Sequence, residues 1–315
     1  DVGPMRGRAL MLGIAGLAAW AILGVVNMGA YASGEHGGVR DFFLTYQVGF
    51  VFWMSVPIGA MALGFLGFIT SASWSLVFRR IFQAAMRCWW LFALFFGVLI
   101  FSLFQGVESP FWWVVPAAEI PEFSSNPYAL HEQEHRQHLY LNVTRFLITA
   151  GAVFALYWWL MSRYNTLSVK SEDEHDHDSW SKLRWLGGPG FILWALTFTM
   201  IITDWVMSVE PAWFSTMFPV VAAMNCFLTT FAFSALILYT LIGGNPTVLH
   251  IIKMKFRIDI GSLMFGFTMV WTYATFSQYM LIWAGNMPEE IIYYKKRLEG
   301  GWQYMAYLLM AVHWF

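Results

Sequence analysis

Eight long apolar runs take up most of the chain. They cover residues 9–31, 42–69, 84–105, 143–162, 189–209, 217–242 and 260–284, and the last begins near residue 302. A run of about 20 apolar residues is long enough to cross the hydrocarbon core of a bilayer as a helix. The runs are continuous and do not alternate polar with apolar residues, which argues against strands. We therefore predict an all-α, polytopic transmembrane protein with about eight spans.

The composition supports the same class. Hydrophobic residues make up 58% of the chain and charged residues 12%, whereas a soluble domain carries about 25% charged residues. The formal net charge of −1 gives no sign of a nucleic-acid-binding protein. The two cysteines, Cys88 and Cys226, are too few for a disulfide framework, a Cys-ligated iron–sulfur cluster or a C-x-x-C-H haem attachment site.

The distribution of Lys and Arg predicts the orientation in the membrane. When the N-terminal end is placed inside, the inner segments hold twelve of these residues and the outer segments six. Since cytoplasmic loops carry the excess of positive charge, loops 70–86, 163–188 and 243–259 are predicted to be cytoplasmic. The chain starts at Asp1 rather than Met and stops at Phe315 inside an apolar run, so we expect both ends to be incomplete.

We predict four segments along the chain. Residues 1–41 form an N-terminal peripheral transmembrane helix, 42–163 a first helix bundle, 164–184 a polar cytoplasmic linker, and 185–315 a second bundle. The linker contains E-D-E-H-D-H-D, which is typical of a solvated loop, although a metal-binding tract is the alternative.

The second apolar run is rich in small residues. Such residues let neighbouring helices approach closely in a membrane. The run also contains Pro57, which predicts a kink. The small residues are Gly49, Gly59, Ala60, Ala62, Gly64 and Gly67.

Two carboxylates stand at the end of the fifth run. Asp204 lies within the apolar stretch, and Glu210 lies at its predicted outer end, just before Pro211. A carboxylate within a span is paired, protonated or directed into a polar cavity, because an isolated charge there is costly. Our hypothesis is that Asp204 faces a cavity and carries protons. The alternative is that it pairs with a donor from a neighbouring helix.

The seventh run carries a polar stripe. The hydroxyl residues in it recur at intervals of four, three and four positions, which places them on one helical face. This face is predicted to line a path for protons or to lie near quinol; ordinary hydrogen bonding between helices is the alternative. The hydroxyl residues are Thr268, Thr272, Thr275 and Tyr279, and Gln278 lies at the outer end of the same helix.

The histidines suggest a further possibility on the outer side. His131, Glu132 and His135 match the zinc-protease pattern H-E-x-x-H, and His138 follows one turn later. A structural metal, proton handling or a plain amphipathic surface helix would account for the same residues, and we predict no metal site. Because His313 alone lies within a run, a haem held by two histidines in this chain is excluded.

Three strings resemble a known family. T-D-W-V-M-S-V-E-P-A-W-F-S-T-M-F at 203–218 is similar to the signature of the polysulfide-reductase-type (NrfD-like) membrane subunits of alternative complex III. Y-L-N-V-T-R-F at 140–146 and F-S-Q-Y-M-L-I-W-A-G-N-M-P-E-E at 276–290, followed by Y-Y-K-K-R, resemble the F-type subunit rather than the larger C-type. The proline of the family's Y-L-N-x-P-F-F is absent, since Val143, Thr144 and Arg145 stand there.

The resemblance implies a fold, an assembly and a location. The fold is two NrfD-like four-helix bundles with peripheral helices and no cofactor of their own. The assembly is a quinol:electron-carrier (cytochrome c type) oxidoreductase in a bacterial inner (cytoplasmic) membrane. Its other members are a sister NrfD-like membrane subunit, an Fe–S/molybdopterin-like subunit and multihaem cytochrome c subunits, which hold the haem c and Fe–S groups. Asp204 and Glu210 occupy the carboxylate positions of the family motif.

We therefore expect this chain to contribute a scaffold, a proton path and possible contact with quinol or menaquinol. In the family, quinol oxidation belongs mainly to the sister subunit. Two other functions fit the sequence as alternatives. One is a secondary transporter or ion-translocating membrane subunit, and the other is a zinc metalloprotease that uses His131, Glu132 and His135.

Overall fold

The computed structural model describes most of the chain after residue 37. The described residues are 38–119, 134–137, 139–173, 177–210, 213–242, 254–298 and 300–314, together with 7, 11, 13–16, 18, 19, 22–26 and 131. Within this part of the chain all regular structure is helical, and no strand occurs. The predicted all-α class is confirmed.

Nine α-helices are described from residue 38 onward. They are α1 (Gly38–Ile69), α2 (Ser73–Arg87), α3 (Trp89–Ser102), α4 (Val143–Asp173), α5 (His177–Trp205), α6 (Phe218–Ile242), α7 (Met254–Gly285), α8 (Pro288–Leu298) and α9 (Trp302–Trp314). Short 3-10 turns follow α3 and α5. Asn286, with a φ of 47°, is left-handed and ends α7.

Helix α1 lies at the centre. It packs against α2, α3, α5 and α6, while α4 packs against α5, and α7 against α6. In the most apolar part of α1, 67% of residues are buried, against 28–39% in the corresponding parts of α4, α5 and α6. Helix α1 is therefore surrounded by protein, and the other three helices expose apolar surface suited to lipid or to partner subunits.

Glycines set the distance between α1 and its neighbours. A Cβ atom added at Gly59 would collide with Thr230 Oγ1 and would lie 2.9 Å from the carbonyl oxygen of Cys226, both on α6. The predicted close approach of helices to this run is confirmed. Gly64 meets α4 and Gly67 meets α2 in the same way, at Tyr164 and Ser75. Gly49 has open space beside it.

Four helices, α1, α4, α5 and α6, are long and apolar enough to cross a membrane. Helices α2 and α3 meet at Cys88 with a bend of 42° and add at most one more span. Helix α7 has 32 residues but is not among the four. The described residues thus indicate a membrane protein with four or five candidate spans, and the predicted eight are not confirmed. The run 9–31 lies largely outside the described residues.

One apolar core joins α1 to α7. It extends from Phe50 on α1 through Trp205 on α5 to Phe256 on α7. The separation into two bundles is accordingly not confirmed. The segment predicted as a polar linker, 164–184, is helical wherever it is described, because α4 continues to Asp173 and α5 begins at His177.

We expect Gly59→Ala to destabilise the protein. The added methyl group meets a backbone carbonyl, so α6 has to move, and overpacking of this kind costs about 1–3 kcal/mol. Thermal unfolding of the detergent-solubilised protein measures the effect. Gly49→Ala, on the same helix with no atom within 4 Å of the new Cβ, is the matched control. Equal unfolding temperatures for the two variants would contradict the close approach.

Candidate functional site

Asp204 forms a buried ion pair with Arg145. One oxygen of the carboxylate lies 2.5 Å from Arg145 Nη2, and the exposed fractions of the two side chains are 2% for Asp204 and 22% for Arg145. The pair joins the end of α5 to the first turn of α4. The sequence analysis left two hypotheses for Asp204, a proton carrier that faces a cavity and a partner of a donor on a neighbouring helix. The structure favours the second.

Residues around Arg145 hold it in place. The side chain of Asn142 accepts a hydrogen bond from the Arg145 backbone N–H at 2.8 Å and so caps the start of α4. The guanidinium lies 3.5 Å from the centre of the Tyr140 ring, a cation–π contact. The Asp204 carboxylate is close enough to Tyr140 to act on its hydroxyl electrostatically. Thr149 Oγ1 lies 3.3 Å from the second carboxylate oxygen and 2.9 Å from the Arg145 carbonyl, to which it donates.

The pair sits against an aromatic wall. Trp205, the next residue after Asp204, packs its ring 4.6 Å from Phe96 and 5.5 Å from Phe154, measured between ring centres. The side-chain amide of Gln47 donates to the Trp205 carbonyl and ties α1 to the same point. Two buried polar atoms, Gln47 Oε1 and Arg145 Nε, have no protein partner. Ordered water usually satisfies such atoms.

Glu210 is paired as well. Lys296 of α8 places Nζ 2.6 Å from its carboxylate. Beside this contact the rings of Trp213 and Tyr293 stack with centres 3.7 Å apart, and Arg297 covers the other face of Tyr293 at 3.4 Å. Helix α8 is thereby fixed over the connection between α5 and α6. We call the two ion pairs and these stacked rings the outer cluster, since the Lys and Arg distribution places this end outside.

Burial raises the pKa of the phenols in this region. For Tyr293 the nearby Arg297 lowers the pKa in turn, and Glu210 raises it. For Tyr294 burial raises the pKa to about 12. For Tyr140 the Asp204 carboxylate adds to the effect of burial. A phenol is already protonated at physiological pH, so these shifts reinforce a state that all three hydroxyls have without them.

Sequence reasoning missed the partners of both carboxylates. Arg145 is the one cation inside the run 143–162, and a lone cation and a lone anion in two spans are natural partners. The pairing of Arg145 with Asp204 could therefore have been predicted from the sequence. Lys296 was not identifiable, because it is one of three adjacent cations at 295–297 and the pairing depends on where α8 turns.

The two inner hydroxyls of the predicted polar stripe on α7 bond within their own helix. Thr268 and Thr272 donate to carbonyls of their own helix, at 3.0 and 2.9 Å. Gln278 is buried, and the Thr275 hydroxyl is buried without a partner. Tyr279 is exposed and meets Tyr294 edge to face. Within the described residues, no hydrogen bond joins this stripe to Asp204.

The histidine motif is described only in part. His131 and His135 are exposed, whereas Glu132 and His138 lie outside the described residues. Within the described part of the chain, no group of three or more His, Cys, Asp or Glu side chains is placed to hold a metal ion.

A second polar cluster, which was not predicted from the sequence, lies at the opposite end of α4. Arg79 of α2 is buried and donates to Ser168 Oγ at 2.5 Å, to the Ser168 carbonyl at 2.9 Å and to Ser171 Oγ at 2.7 Å. Its guanidinium also lies 3.1 Å from Glu172, which pairs with Arg80 too. Helix α4 is thus held by charged contacts at both ends.

Comparison with known proteins does not identify a family for this chain. No protein-family model matches the chain, and no curated protein matches it significantly.

We expect Asp204→Ala to destabilise the protein strongly. It leaves the Arg145 guanidinium buried without its anion, and removal of one partner of a buried pair costs about 3–5 kcal/mol. Replacement of both residues, as Asp204→Leu with Arg145→Met, removes the unpaired charge and should recover most of the loss. Chemical unfolding in detergent measures each difference.

The matched control is an exposed pair on α5. Lys182 and Asp178 lie one helical turn apart with more than half of each side chain exposed, so Lys182→Ala should change stability by about 0–1 kcal/mol. If Asp204→Ala costs no more than this control, the buried pair does not stabilise the fold.

Proposed function

We propose that this chain is an integral membrane scaffold subunit of a quinol:electron-carrier (cytochrome c type) oxidoreductase complex. One observation carries the proposal. Two of the strings that resemble the NrfD-like subunits of alternative complex III meet in space, because Arg145 of 140–146 pairs with Asp204 of 203–218, and Lys296, which follows the third string, pairs with Glu210. Ion pairs thereby join residues that are far apart in sequence. Arg145 stands where the family's string has Phe, so this pair is a feature of the present chain.

The outer cluster suits a docking platform. Two ion pairs and a stack of rings hold α4, α5 and α8 in a fixed relation, so a partner meets a preformed surface and loses little free energy in ordering it. The partners we propose are a sister NrfD-like membrane subunit beside the helices, and an Fe–S/molybdopterin-like subunit with multihaem cytochromes c outside. In this scheme haem c and Fe–S belong to the partners, and the chain holds neither.

The membrane we propose is the bacterial inner membrane, with the outer cluster facing away from the cytoplasm. The orientation rests on the distribution of Lys and Arg, and the contacts support the alternation of the helices. The start of α4 meets the end of α5, and the end of α4 meets the start of α2, as an alternating path across a bilayer requires. Eight spans in two bundles remain part of the proposal, with α7 as one further span.

A proton path is the second candidate function, and the buried hydroxyls of α4 favour it. Thr149, Tyr157, Tyr164 and Ser168 recur at multiples of three to four positions and so share one face of the helix. The hydroxyls of Tyr157 and Thr197 lie 3.0 Å apart. The Tyr164 hydroxyl is buried without a protein partner, beside the space left by Gly64.

This route differs from the one expected from sequence. Because Arg145 neutralises Asp204, the carboxylate stays ionised in the pair. In this proposal it marks the outer end of the path and does not itself take up and release protons. About 12 Å of helix separates Thr149 from Tyr157 at 1.5 Å per residue, so ordered water must complete the path. The α7 stripe bonds to its own backbone and is the weaker route.

Neither alternative function gains comparable support. A secondary transporter uses broken helices whose ends line a substrate site. The described residues contain one bent pair of helices, α2 and α3. The bend lies at Cys88, whose thiol is exposed and does not line a polar cavity.

We expect the tagged chain, purified from its native membrane in mild detergent, to bring partner subunits with it. Mass spectrometry should identify them, and visible spectroscopy should show c-type haem in the assembly. Lys296→Glu puts a second anion beside Glu210 and should lower partner recovery severalfold. Glu210→Lys combined with Lys296→Glu restores opposite charges and should restore recovery.

Lys182→Glu, at the inner end, is the control and should leave recovery unchanged. A chain that purifies alone, from wild type and variants alike, would contradict the scaffold proposal.

For the proton path we expect Tyr164→Phe to lower the number of protons released per electron while leaving assembly and haem content unchanged. The substitution removes the hydroxyl and keeps the ring. Proton release by the complex in vesicles is measured with an external pH indicator during quinol turnover. Tyr273→Phe, at a side chain that is 71% exposed on α7, is the control. Identical proton release in both variants would exclude a role for Tyr164.

A further inference from the structure

A large cavity lies apart from the outer cluster and from the polar face of α4. Its volume is about 870 Å³, and it lies between the first half of α1, helix α3 and N-terminal residues that include Gly16 and Leu23. The N-terminal residues contact α1 beside it, because a Cβ added at Gly24 would lie 3.1 Å from the ring of Phe42. Cavities of this size bind small organic ligands.

The cavity follows one face of α1. The residues of α1 between Asp41 and Trp53 that line it recur in steps of one and three positions, which is the pattern of a single helical face. Twelve residues of helix are about 18 Å long at 1.5 Å per residue. The cavity is therefore a long groove, which we call the α1 groove. It starts at the outer end of α1 and descends toward the middle of the span.

Below its outer end the α1 groove is apolar. Aromatic rings form its sides, from Phe50 and Trp53 on α1 and from Phe92 and Phe95 on α3. Gly49 also lines it and has no side chain to fill the space. Because α1 is a candidate membrane span, the long apolar chains within reach are the acyl chains of the surrounding lipids. The lining therefore suits an acyl chain that lies along α1.

The outer end of the groove carries a negative charge. Asp41, in the first turn of α1, lines the groove, is exposed and forms no ion pair with any residue that the structure describes. The neighbouring cation, Arg40, lies 3.6 Å over the ring of Trp112 and does not line the groove. The hydroxyls of Thr45 and Tyr46 donate to backbone carbonyls at 2.8 and 2.7 Å, so we assign neither of them a role in binding. The charge of Asp41 thus selects the headgroup.

We infer that the α1 groove binds phosphatidylethanolamine, with the ammonium group against Asp41 and one acyl chain along Phe50 and Trp53. The ammonium group is a cation with N–H donors, and it forms charge-assisted hydrogen bonds with a carboxylate. Phosphatidylglycerol has a net negative charge and no cation, so Asp41 repels it. The bound lipid fills the space between the N-terminal residues and α1, whether or not the chain belongs to an oxidoreductase complex.

Gly49 provides the steric test. No atom lies within 4 Å of a Cβ added there, so the side chain of Gly49→Leu occupies the groove rather than the packed core. Gly151→Leu is the matched control, because Gly151 on α4 also has open space beside it and does not line the groove. The probe is a phosphatidylethanolamine with a diazirine in one acyl chain. It is mixed into vesicles that hold the chain purified from its native membrane, together with any partners that it retains.

We expect illumination to label the peptides of α1 and α3 that line the groove, as located by mass spectrometry. Gly49→Leu should reduce this labelling about tenfold, the loss that corresponds to a tenfold weaker binding constant. Gly151→Leu should leave it unchanged. Equal labelling of the groove in wild type and Gly49→Leu, or no labelling in wild type, overturns the inference.

Competition between unlabelled lipids tests the headgroup. In wild type, phosphatidylethanolamine should displace the probe at about one tenth of the concentration of phosphatidylglycerol that is needed, again the effect of a tenfold difference in binding constant. Asp41→Asn keeps the size of the side chain and removes its charge, so it should abolish this preference. Equal displacement by the two lipids in wild type, or a preference that persists in Asp41→Asn, contradicts the assignment of the headgroup to Asp41.

Discussion

The pairing of Asp204 with Arg145 is the constraint on which the described structure depends. A carboxylate that is 2% exposed tolerates burial only if a cation and hydrogen-bond donors surround it. Those donors come from one short stretch, 140–149, which includes the cap and the first turn of α4. The need to neutralise one charge thereby fixes where α4 begins, how it meets α5, and how the following connection turns toward α8.

A comparable requirement operates at the other end of the same helix. Arg79 is buried and uses Ser168, Ser171 and Glu172 to satisfy its guanidinium. Between these two polar contacts the core is aromatic, with Trp89, Phe96 and Phe154 packed around the middle of α4. Charged groups therefore specify how the helices align along their length, while aromatic groups and the glycines of α1 specify how closely they pack.

The sequence predicts the class of this fold well and its site only in part. Apolar runs and small residues depend on local composition, so the helices and the close approach at Gly59 followed from them. Asp204 was recognised as unusual because its cost is local, but its role depended on a partner 59 residues away. The predicted count of eight spans is not confirmed, since the described residues contain four or five candidate spans and Cys88 divides one apolar run between two helices.

Helix α4 also has a consequence for the host membrane. From Arg145 to Glu172 it rises about 40 Å at 1.5 Å per residue, which is close to the full thickness of a bilayer with its headgroups. Because an ion pair holds each end of α4, the helix has little freedom to tilt or shorten. A bilayer much thinner or thicker than this length would have to deform around the protein, so lipid chain length becomes a variable that its stability should follow.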